Sequence, residues 1–216
     1  MTDQQTTTDG NAGTDTGTSV GLRTGIGTEA DGAETGGETS IGPLLMLLAI
    51  GGVVSLSLGT YARVHTPTGQ GIVTFGFPAV LPMKAWLTTA AAALALGQFL
   101  SALWMWGRLP GAGPAPTWTA PAHRWLGTAA FLLTLPVAYH CLWALGFQQT
   151  TTRVLVHSLL GCAFYGAFVT KMLALRSQRL PSWGLPTIGG LLFALLTGLW
   201  FTSSLWFFTT IGFPGV

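Results

Sequence analysis

From Ile41 to the C-terminus the chain contains no aspartate or glutamate; all seven acids (Asp3, Asp9, Asp15, Glu29, Asp31, Glu34 and Glu38) lie in the first forty residues. The acid-free part is also strongly apolar, and charged residues make up only 7% of the whole sequence. A soluble domain carries about 25%. Such a chain reads as an integral membrane protein before any motif is considered. The same absence excludes function classes. A carboxylate proton relay, a carboxylate-bridged metal pair and a general acid/base carboxylate pair all need acids within the membrane body.

Five apolar stretches are each long enough to cross a bilayer as a helix, which takes roughly 20 residues. They run over about 41–62, 83–106, 121–145, 153–175 and 186–208, and predict an all-α, five-helix transmembrane bundle. Residues 1–40, rich in Thr, Gly and acids, cannot bury enough apolar surface to offset their ordering entropy and read as a disordered tail. Arg108, Arg124, Lys171, Arg176 and Arg179 fall on the tail's side, and Arg63, Lys84 and Arg153 on the other. The positive-inside rule then places the N-terminus in the cytoplasm and the C-terminus outside, in a multi-pass cell-membrane protein. The lipid bilayer is its expected surrounding partner, and no nucleic-acid partner is expected.

The third and fourth stretches form a helical hairpin around the short polar link Phe147 to Thr152. His140 and His157 lie on opposite sides of that link at matched sequence distance, so an antiparallel pair sets them at similar depth. Ionisable side chains within a membrane mark functional sites by default. His157 is followed at i+4 by Gly161 and preceded at i−4 by Arg153, which puts a cation, an imidazole and a gap on one helical face. Two imidazoles, a gap and a cation are what a b-type haem needs for its iron, its ring and a propionate. His140 and His157 are the expected axial ligands, with His65 at the end of the first span as the substitute. Adjacent helices pack about 8–10 Å apart, which is too close for two imidazoles and an iron. The hairpin must therefore splay, and Pro136, which removes a backbone donor one turn before His140, is expected to kink the third helix. A copper or zinc site using Cys141 is disfavoured because His140 and Cys141 diverge by about 100° on a helix. Cys141 and Cys162 read as buried thiols, and His123 beside Arg124 as an interfacial anchor. The cluster Trp200, Phe201, Trp206, Phe207 and Phe208 reads as an aromatic belt; as a quinone wall, it would use Ser203 or Ser204 as the donor.

The run HRWLG…PVAYHCLWALGF…RVLVHSLLGCAFYGAFVTKM, together with LPMKAWL and LWFTSSLWFF, resembles an uncharacterised family of actinobacterial integral membrane proteins, DUF6529, over most of the chain from about Tyr61 onward. Histidines on a small helical bundle also look distantly like cytochrome b561 and ferric-reductase-like proteins. The leading expectation from the residues is a one-haem, b-type membrane protein that exchanges electrons near the outer face with membrane quinol or a redox partner protein, and the resemblance likewise implies b-type haem. Those families carry two histidine pairs, whereas one is visible here. The other expectation is a non-enzymatic membrane subunit or scaffold with structural histidines.

Overall fold

The structure, a computed structural model, describes residues 41–177 and 180–212. The acidic tail, Arg179 and the last four residues lie outside that range. The chain is an all-helical, multi-pass membrane protein, with no strand among the described residues. Its helices are α1 (Gly42–Val64), α2 (Val80–Met105), α3 (Thr119–Tyr139), α4 (Thr152–Ala174) and α5 (Gly184–Trp200). α3 runs on through a π-helical segment, His140–Leu145, and α5 through a second, Phe201–Leu205, into a last short helix, α6 (Trp206–Thr210). Five continuous spans result among the described residues, within a few residues of those expected from the sequence.

The termini follow local chemistry. Pro43 stands in the first turn of α1, where its missing N–H costs no hydrogen bond. Thr151 caps α4, its hydroxyl accepting the Val154 N–H at 3.3 Å. Gly146 ends the third span with φ at 68°, a conformation that favours glycine. Pro136 lies inside α3. α3 continues past it, and the disturbed ladder relaxes into the wider π-helical turns beginning at His140.

The spatial order of the helices differs from their order in the chain. α1 packs closely on α4, α4 on α5, α5 on α2 and α2 on α3, whereas the neighbours α3 and α4 are not among the closely packed pairs. The expected hairpin is therefore splayed. α3 and α4 meet through large side chains: Phe131 stacks on Phe168 with ring centres 3.8 Å apart, and the Tyr165 hydroxyl donates to Thr134 O at 3.1 Å. Elsewhere small residues set the spacing. Gly51 of α1 and Gly166 of α4 bring two backbones together so closely that a methyl on either would strike the other's carbonyl.

The result is a row, α1–α4–α5–α2–α3, curled so that its two ends face each other. The ends join where α1 finishes, here termed the far end. Phe147 N–H donates to Ala62 O at 2.8 Å, and the residues after α1 add Gly69 N–H to Ala144 O at 3.0 Å and Thr68 N–H to Trp143 O at 3.3 Å. The core proper lies where α2, α4 and α5 meet, around Ala91, Ala95, Phe164, Leu192 and Leu196.

Candidate functional site

The curl holds a half-open cavity of about 250 Å³ toward the far end, lined from all five spans. Its walls are mostly apolar, with Leu58, Val137, Leu142, Leu196 and Leu199 among them. Ligand clefts usually span about 300–1,000 Å³, so this one suits a compact group or a length of alkyl chain. Polar side chains collect where α2 and α4 begin and α5 ends: Lys84, Arg153, His157, Thr202 and Ser203, with Trp206 beside them.

Thr202 organises this cluster. It lies in the π-helical segment of the fifth span, and its hydroxyl donates back to Gly198 O at 2.8 Å. With its one proton in that bond, Thr202 Oγ1 is left as the acceptor toward His157. The Nδ1–H of His157 therefore donates to it at 2.9 Å. The second ring nitrogen, Nε2, then carries a lone pair and has no hydrogen-bond partner among the described residues. Arg153 donates from Nη1 to Thr202 O at 2.6 Å and lays its guanidinium 3.9 Å over the Trp206 ring. Lys84 makes no hydrogen bond or ion pair among the described residues. Two side chains of α4 are thus tied to one threonine of the fifth span, and π-helical segments recur at functional sites because their widened turn alters the ordinary hydrogen-bond pattern.

The residues expected from the sequence divide into two groups. Arg153, His157 and Gly161 share the cavity wall. A methyl on Gly161 would find only Leu199 Cδ2, at 4.0 Å, so that glycine does leave a gap. His140 and His65 do not line the cavity. His140 is 1% exposed; its Nδ1–H donates to Pro136 O at 2.7 Å, and its ring packs under the connection between α1 and α2 near Gly71. Its Nε2 is buried without a partner. His65 stacks between Tyr61 and Trp143 and donates from Nε2 to Trp143 O at 3.2 Å, joining the ends of the row. A haem held between His140 and His157 does not fit this arrangement, because one imidazole faces the cavity and the other is packed away from it. Splaying opens the hairpin as expected, yet the Pro136 carbonyl holds His140 on its other side. Among the described residues no group of three or more His, Cys, Asp or Glu gathers for a metal ion.

Other assignments shift as well. Cys141 and Cys162 are half-buried and line the cavity instead of lying sealed in the core. Ser204 is buried and donates to Ala85 O at 3.0 Å, while Ser203 donates to Leu199 O at 2.6 Å, so both hydroxyl protons are already used. Trp206 and Phe207 turn inward to the cavity, so the expected belt is in part a wall. Lys84 and Thr202 were not singled out as site residues from the sequence. Lys84 falls in the opening turns of a long apolar helix, and such lysines ordinarily reach for headgroups. At the opposite end of the bundle, His123 is held by Gln98 O at 3.0 Å and Ser101 Oγ at 2.9 Å.

The family model "Family of unknown function (DUF6529)" matches residues 44–215, nearly the whole of the membrane body. The chain belongs to the DUF6529 family. No curated protein and no solved structure matches this family member. Its site must be read from its own geometry, and neither comparison supports the expected likeness to cytochrome b561.

Proposed function

We propose that this DUF6529 protein is a non-enzymatic membrane subunit that binds a lipid-like amphiphile, tail among the apolar walls and head against Lys84, Arg153 and His157. The observation that carries this reading is the apolar cavity inside a splayed bundle, with its cationic side chains gathered at the far end. An alkyl tail removed from water gains nothing by leaving lipid for protein, so affinity must come from packing and from the head. The head meets preorganised groups, because Thr202 and Trp206 hold Arg153 and His157 before any ligand arrives.

A quinol head is the second occupant class, favoured by the tautomer of His157. With Nδ1–H committed to Thr202, Nε2 can accept a hydrogen bond from a ring hydroxyl. For orientation, the positive-inside count supports a cytoplasmic N-terminus, which sets the cavity toward the outer leaflet. Reporter fusions at the two termini test this, and a periplasm-active fusion at the N-terminus reverses the side served.

The binding reading is tested by thiol accessibility in phosphatidylcholine nanodiscs. N-Ethylmaleimide should alkylate Cys141 and Cys162, and single-tailed amphiphiles should slow both reactions. Gly161→Leu, which fills the gap, should slow alkylation without ligand and remove the ligand's effect. Unchanged rates throughout a series of amphiphiles, with Gly161→Leu behaving as wild type, would overturn the proposal.

A further inference from the structure

We infer that the head bound by this cavity is a phosphate monoester, an inference that rests on the amphiphile-binding reading above. Lys84 stands in the opening turns of α2 and Arg153 in the first turn of α4, and both line the cavity. Each helix N-terminus carries roughly half a positive charge, so acids are the residues that normally stand there. Neither first turn holds one. From Ile41 to the C-terminus the sequence has no Asp or Glu that could pair with either cation. The partners Arg153 does have, the Thr202 carbonyl and the Trp206 ring face, are both neutral. Two cations and two helix N-termini therefore converge on an apolar space without counter-charge from the membrane body. Buried or half-buried charge of this kind is expensive unless paired. The missing partner is an anion.

His157 narrows the class of anion. With Nδ1–H on Thr202 its Nε2 is an acceptor, and the ring lies on the same wall as the cations. A carboxylate satisfies Lys84 and Arg153 and offers nothing to that lone pair. A phosphate monoester in its singly ionised form, the main one below about pH 6, does both: its charged oxygens take the cations, and its remaining P–OH donates to Nε2. The apolar walls beyond take its tail. This chemistry is shared by a bilayer lipid with a monoester head and by a soluble phosphate, so the test must separate them.

The probes are dodecyl phosphate, dodecanoate, dodecanol and inorganic phosphate, read as protection of Cys141 and Cys162 from N-ethylmaleimide in phosphatidylcholine nanodiscs. Dodecyl phosphate should protect at the lowest concentration, dodecanoate at a higher one and dodecanol at the highest; inorganic phosphate should give no protection in that range. Lys84→Gln and Arg153→Gln should each weaken dodecyl phosphate about tenfold or more while leaving dodecanol unchanged. Arg153→Lys should restore part of the loss, which separates lost charge from a lost fold. His157→Ala should remove the preference for phosphate over carboxylate. Equal protection by dodecanol overturns the anionic head and leaves the cavity reading standing, whereas no protection by any probe overturns both. Dodecanoate matching dodecyl phosphate overturns the monoester assignment, and inorganic phosphate matching it overturns the tailed ligand.

Discussion

Gly51→Ala tests the packing on which the curled row depends. A methyl at Gly51 would meet the Thr170 hydroxyl and come within 2.5 Å of Gly166 O and 3.2 Å of Gly166 C. The carbonyl is backbone in mid-helix and cannot rotate away. Reaching ordinary contact requires α1 and α4 to part by about 1 Å, and a gap of that size forfeits a quarter to a half of each dispersion contact along the seam. It also lengthens the bond from Thr170 Oγ1 to Leu47 O, now 3.2 Å. Overpacking of this kind costs about 1–3 kcal/mol. With the bond weakened too, the expected loss is about 2–3 kcal/mol. The adjacent Gly52 is the internal control, because a methyl there meets nothing within 4 Å. Gly52→Ala should be neutral, or stabilising by up to about 1 kcal/mol from reduced backbone freedom in the unfolded chain. The assay is reversible SDS unfolding in mixed micelles followed by tryptophan fluorescence. Equal midpoints for Gly51→Ala and Gly52→Ala would refute the close approach of α1 to α4.

Four further expectations follow from the site and its supports. Thr202→Val should release the His157 ring, so that 15N spectra of labelled histidine show loss of the fixed Nδ1–H tautomer; an unchanged tautomer would mean that Thr202 is not its partner. Tyr165→Phe should cost about 0.5–1.5 kcal/mol by removing the hydroxyl that reaches Thr134 across the splayed pair, measured by the same SDS titration. His140→Leu replaces a fully buried ring whose second nitrogen has no partner and should cost less than about 1.5 kcal/mol, whereas His140→Ala should cost about 2–4 kcal/mol through the cavity it leaves. Protein purified from haem-supplied cells should show no dithionite-reduced α-band of a bis-imidazole haem. A band lost in both His140→Ala and His157→Ala would restore the haem expectation.

The spans were legible because the evidence for them is additive: twenty apolar residues and an absence of acids speak without reference to partners. The helix ends at Gly146 and Pro43 follow equally local chemistry. The order of helices in space was not legible, since α3 and α4 are sequence neighbours and only the fit of Gly51 against Gly166 shows that α1 takes the place beside α4. The same limit separated the histidines. Matched depth follows from counting residues, but the side a ring faces depends on which acceptor it finds. His140 found Pro136 O within its own helix, whereas His157 found a threonine on α5's extension, 45 residues away. Lys84 was invisible as a site residue for a related reason: only the curl of the row turns the start of α2 inward.

The ends of the row are fastened at the far end by backbone groups of α1, its following residues and the end of the third span. Backbone donors do not depend on side-chain identity, so this fastening tolerates most substitutions, and none of its residues belongs to the core around Ala91 and Phe164. It works as a clasp. Parting α1 from the third span would let a long tail slide in sideways from the bilayer, a route that never exposes it to water. The residence time of a ligand would then be set by how often the clasp frays. Lengthening the segment after α1, without touching any cavity residue, should quicken exchange in both directions and leave the equilibrium affinity nearly where it was.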